Sequence, residues 1–246
     1  MSQIYETPNQ EVVEQKTSSG ILSFAKVFLY MFMFLAISAA VAFAIPYILI
    51  IAARNGATID VIANTYYGLM IASGISLFIL MIVINFVFLR GKHSVIIPAI
   101  IYAVVIGVLL SSFVILLSDG MWWILGMAFG ITAGIFLLMT LIAVLTKGNL
   151  HPLLMVGIGL MIGAGVLSLV NWLIGSDTIM WIVTFAMFAA IMFITMFDIW
   201  NIKKICERGA MNTNLALYCA FTLYVDFIYI LIRVLIFLII IFAKNR

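Results

Sequence analysis

The chain has 246 residues, 67% of them hydrophobic and 9% charged, with a formal net charge of +3. A soluble domain is about half apolar and about a quarter charged, so this composition excludes a water-soluble globular protein and implies an integral membrane protein. So small a net charge gives no reason to expect a nucleic-acid partner.

Residues 1–22 are the polar part of the chain, with Glu6, Glu11, Glu14 and Lys16 beside Pro8 and Ser18-Ser19-Gly20. They have no apolar core and lack the charged-then-apolar order of a signal peptide. A short disordered cytoplasmic arm is expected there. Residues 23–246 are expected to form one seven-helix transmembrane domain. The apolar segments are Phe28–Ile51, Ile62–Leu89, Val95–Leu117, Met121–Leu145, Leu153–Ile174, Ile179–Trp200 and Leu215–Ala243. A helix needs about 20 residues to cross the hydrocarbon, and each segment is long enough. In lipid the backbone must satisfy itself, which leaves helices, since the alternating ten-residue pattern of a barrel is missing. Loops such as Arg54-Asn55-Gly56 and Lys147-Gly148-Asn149 are short enough to force neighbouring helices to be antiparallel. The fold class is therefore all-α, a seven-transmembrane helix bundle.

Basic residues orient it. Eight lie on the side of the N-terminus: Lys16, Lys26, Arg90, Lys92, Lys147, Lys203, Lys204 and Arg208. Three lie on the other side, Arg54, Lys244 and Arg246, and Arg233 falls within the last segment. The N-terminus is expected in the cytoplasm and the C-terminus outside, in a multi-pass protein of the cytoplasmic membrane. Glycines at four-residue spacing, Gly126, Gly130 and Gly134, then Gly159 and Gly163, predict close helix contacts.

Several chemistries leave no trace. There is no Gly-x-Ser-Gly serine with an intramembrane histidine, no His-Glu-x-x-His and no phosphate-binding glycine loop. The last segment carries no lysine before Lys244 that could hold retinal. His93 and His151 are far apart and sit at helix starts, and Cys206 and Cys219 show no pairing or CxxC spacing, so free thiols and no metal site are expected. No enzyme activity, catalytic residue or cofactor is expected.

What remains is a pair of carboxylates. Asp198 ends the sixth segment, and Asp226 lies inside the seventh. A charged group at membrane depth costs about 2.5–3.5 kcal/mol on insertion scales, so it usually faces a partner, water or a pathway. The two segments form a hairpin, and the intervening residues Lys203, Lys204 and Arg208 read as a basic loop. Both carboxylates then fall at similar depth. Two carboxylates in one site cannot both ionise cheaply, so they hold a proton between them and titrate as a unit. Once the proton is lost they repel, and a nearby arginine, Arg90, can take one of them. The residues alone leave two readings open. One is a pH-dependent gate built from Asp198, Asp226 and Arg90. The other is a snorkelling Asp198 with Asp226 as a packing hydrogen-bonder.

Phe197-Asp198-Ile199-Trp200-Asn201-Ile202-Lys203-Lys204, then Leu215-Ala216-Leu217-Tyr218 and Leu223-Tyr224-Val225-Asp226-Phe227-Ile228, resemble the aspartate motifs of the Bax inhibitor-1 family. Lys26-Val27-Phe28-Leu29-Tyr30 fits as well, and the resemblance covers most of the chain from Leu22 onward. The chain departs from the family pattern at Tyr229, where an asparagine is usual, and at Arg233, which comes two turns after the second aspartate instead of three. The resemblance implies a seven-span protein with the last helix central. It implies a pH-sensitive calcium leak in which Asp198 and Asp226 are the sensor and Arg90 exchanges with them. Calcium would then be the transported ion, with protons as effector and the bilayer as surroundings, and a monomer suffices. It also implies an alternative, a membrane interaction protein that modulates a membrane-bound protease or a stress or cell-death partner. The short loops and the missing basic tail point to a bacterial member.

Overall fold

Long apolar runs without interruption leave the backbone one way to satisfy its polar groups in hydrocarbon, and the computed structural model is helical accordingly. It describes residues 8–90, 94–118 and 120–243, with side chains from Gly20 to Phe242. Gly91, Lys92, His93, Asp119, Lys244 and Arg246 lie outside the described residues. The helices are α1 (Pro8–Arg54), α2 (Ile59–Arg90), α3 (Ile96–Leu116), α4 (Trp123–Leu145), α5 (His151–Ile174), α6 (Asp177–Glu207) and α7 (Thr213–Ala243). All seven are long and apolar enough to cross a membrane. With seven such helices among the described residues, this is a multi-pass membrane protein.

Two helix ends differ from the sequence expectation. The polar stretch read as a disordered arm is helical from Pro8 onward. Pro suits the first helical position, and Gln10, Glu11, Glu14, Gln15 and Lys16 are good helix formers continuing into an apolar helix. Also, Lys203 and Lys204 are not in a loop, because α6 runs through them to Glu207. The turn into α7 is then short. Gly209 ends α6 at φ 70, where a left-handed conformation needs glycine, and its N–H bonds the Cys206 carbonyl at 3.0 Å. Asn212 starts α7 as an N-cap, its Oδ1 accepting the Leu215 N–H at 2.7 Å.

Burial differs among the helices. The apolar windows of α3 and α7 are 44% buried, those of α2 and α5 only 11%. Side chains such as Leu89 and Leu173, each 79% exposed, would form an aggregating patch in water but suit hydrocarbon.

The chain divides into two units. One comprises Val27–Met127 with Asn212–Tyr224. Here the close backbone contact is at Gly107 of α3, where a Cβ would stand 2.6 Å from both the Ser38 carbonyl oxygen and Val41 Cβ of α1. The buried Ser38 hydroxyl lies 2.8 Å from the Ala103 carbonyl of α3 and 2.6 Å from the Tyr224 hydroxyl of α7. A serine has one proton. Given to the Ala103 carbonyl, it leaves Ser38 to accept from Tyr224, so three helices share one hydrogen-bond chain. The Tyr224 ring is packed edge-on against Phe34 and Tyr102. Tyr218 stacks on Phe88 and donates to Asn85 Oδ1 at 2.8 Å. Asn214 Oδ1 accepts the Val95 N–H at 2.9 Å.

The Ser38 chain gives a first prediction. Tyr224→Phe and Ser38→Ala should each cost about 0.5–2 kcal/mol, read as a lower Tm in detergent. The double variant should fall well short of the sum, because either change breaks the same chain. Strict additivity would show that the two hydroxyls are not coupled.

The other unit comprises Met1–Lys26, Ala128–Met211 and Val225–Arg246. In it α5 packs on α6. Gly157 makes the close approach, with a Cβ there 2.9 Å from Ile194 Cγ1 and 3.1 Å from the Ala190 carbonyl oxygen. The glycines expected at interfaces are elsewhere. At Gly126, Gly130, Gly134, Gly159 and Gly163 nothing among the described residues comes within 4 Å of an added Cβ. Four-residue spacing puts glycines on one face of a helix but does not say which face meets a neighbour. Cys206 and Cys219 are buried and are not joined in a disulfide.

Candidate functional site

Asp198 and Asp226 belong to the same unit. Asp198 sits nine residues before the end of α6, about 13 Å along the axis, and Asp226 thirteen residues after the start of α7, about 20 Å. The α6 extension therefore carries Asp198 deeper than a helix ending at Trp200 would. The two carboxylates are near enough for the charge of Asp198 to bear on Asp226. Each residue is half-buried, but Asp226 Oδ2 is fully enclosed and has no hydrogen-bond partner among the described residues. An ionised oxygen in that position would be costly, whereas a carboxyl that keeps its proton tolerates it better.

Thr195 completes the site, and sequence reasoning missed it. It is fully buried one turn before Asp198 on the same face of α6, with its hydroxyl close enough to bear on the Asp226 carboxyl. Its Oγ1 donates to the Ile191 carbonyl at 2.8 Å. The i−3 spacing to Asp198 is the signal that could have found it.

The surroundings fix both helices. Phe227, next to Asp226, is held between Phe129 and Phe136 of α4 at 5.6 Å each. Phe197, next to Asp198, contacts the His151 ring at 5.2 Å. Lys203 Nζ donates to the Val144 carbonyl at the C-terminal end of α4, 2.6 Å away, and pairs with Glu207 at 3.5 Å. A cation there also suits the negative end of the α4 dipole. Lys204 lies 3.8 Å over the Trp200 ring.

Arg90, the third residue expected at the site, is the last residue of α2, belongs to the other unit and is exposed. Among the described residues no three His, Cys, Asp or Glu side chains form a cluster able to hold a metal ion. Two carboxylates with a hydroxyl can hold and release a proton and can touch a passing hard cation.

The profile of the family described as Inhibitor of apoptosis-promoting Bax1 matches residues 22–244. The chain belongs to the Bax inhibitor-1 family. Membership makes it a membrane protein of the Bax inhibitor type. Both aspartate motifs and Arg90 fall inside the matched stretch. No curated protein is similar enough to the chain to match it.

Proposed function

We propose that this Bax inhibitor-1 family member is a pH-sensitive calcium leak channel of the cytoplasmic membrane, gated by the Asp198–Asp226 pair. The observation that carries the reading is the Asp226 carboxyl inside an apolar helix, in the same unit as Asp198, with one oxygen enclosed and unpartnered among the described residues. At low pH the pair keeps a proton and the hairpin stays closed. As pH rises the proton leaves, the carboxylates repel, and Arg90 becomes the counter-ion of the open arrangement. Calcium is cargo, protons are the effector, and one copy of the chain supplies both carboxylates. The reading assigns no catalysis and no bound cofactor. It places the N-terminus in the cytoplasm and the C-terminus outside. A reporter after Arg246 should therefore read as exterior and one at Arg208 as cytoplasmic.

A second reading is a membrane protein that acts by binding a partner, either a membrane-bound protease or a cell-death protein, and the family description favours the latter. Purified protein alone in liposomes separates the two. The channel reading predicts calcium uptake that increases with pH. Liposomes as tight as empty ones at every pH would leave the partner-binding reading.

A further inference from the structure

Arg233 is left without a role by the aspartate pair. It sits ten residues before the end of α7, about 15 Å along the axis, and is half-buried. Its Nη2 donates to Met187 Sδ at 3.2 Å. Met187 is ten residues into α6, again about 15 Å from that end of the hairpin. The guanidinium is thus tied to a side chain of α6 within the hairpin. A thioether is a weak, uncharged acceptor, and a guanidinium keeps its proton. Among the described residues the ion pair formed is Lys203 with Glu207, so the Arg233 charge is not neutralised by a carboxylate. Met, Leu or Gln would fill the position without that charge.

Arg233 follows Asp226 by seven residues. Two turns on, it lies on nearly the same face of α7, about 10 Å nearer the C-terminal end. An ion moving along that face meets the carboxylates and then a fixed positive charge. Single arginines serve as electrostatic barriers in other selective pores.

We propose that Arg233 is a fixed cation barrier in series with the Asp198–Asp226 pair, which keeps the calcium leak small and disfavours divalent over univalent cations. The proposal rests on the calcium-leak reading. Repulsion scales with the charge of the moving ion, so the factor for calcium is the square of that for potassium. At a stand-off of about 10 Å in a water-like dielectric, the barrier slows calcium about fourfold and potassium about twofold.

The test uses the full chain in proteoliposomes, with initial calcium and potassium fluxes measured at a pH on the alkaline plateau. Wild type is compared with Arg233→Met, which matches the Met187 surroundings, and with Arg233→Gln and Arg233→Lys. Met and Gln should raise calcium flux about fourfold and potassium flux about twofold, while Lys keeps the wild-type ratio. Equal factors for the two ions, an unchanged or smaller calcium flux, or a Lys variant behaving like Met would overturn the barrier. Measurable wild-type flux with an unchanged Met variant sinks the barrier alone. Calcium-tight wild-type and Met vesicles sink the leak reading and the barrier together.

Discussion

Asp226→Asn is expected to hold calcium flux at one level across the pH range, the level that wild type shows in acid. Asn keeps the shape of the carboxyl but cannot ionise, so the like-charge repulsion that follows proton loss never develops. Asp198→Asn should do the same. The double variant should match either single one, because the pair titrates as one unit and removing either half removes the whole effect. The sign follows from the closed state holding the proton: wild-type flux is low in acid and rises as pH increases. Arg90→Ala removes the counter-ion proposed for the deprotonated pair. It should move the rise to higher pH without flattening it. If both single Asn variants retain the wild-type pH response, the carboxylates are structural and the gate lies elsewhere.

Gly107→Leu is expected to have the largest effect on stability. A side chain there meets a backbone carbonyl and a Cβ of α1 at 2.6 Å, and neither can move without shifting the helix. Overpacking of this kind costs about 1–3 kcal/mol or more. Even Gly107→Ala should lower Tm in detergent. Gly130→Leu, with nothing among the described residues within 4 Å of an added Cβ, should change stability by less than about 0.5 kcal/mol. Equal Tm values for Gly107→Ala and wild type would show that α1 and α3 do not approach as described.

Much of this was legible in the residues, for reasons that also explain what was not. Seven apolar runs bounded by Gly-containing turns announce seven helices, because lipid admits little else. Helix ends were less legible. Lys203 and Lys204 read as loop because they are charged. Their apolar stems let α6 continue, with Lys203 bonded to the Val144 carbonyl and Lys204 lying on Trp200. The close contacts fall at Gly107 and Gly157, which stand outside the four-residue glycine ladders, so spacing alone does not point to them. Asp198 and Asp226 stood out because acids are rare at membrane depth. Thr195 did not, since a threonine in an apolar helix usually bonds its own i−4 carbonyl, and here it does so beside Asp226. Arg233 was visible from the start, but its partner on α6 was not.

The central claim is that one proton held between Asp198 and Asp226 governs calcium flux. Infrared spectroscopy of aspartate-labelled protein in liposomes reads that proton directly, as the carbonyl band of a protonated carboxyl. Its loss in Asp226→Asn assigns the band, and flux is followed on the same vesicles. The account predicts that the band disappears over the same pH interval in which wild-type flux rises. A band that persists while flux rises, or that vanishes in an interval where flux does not change, would contradict it.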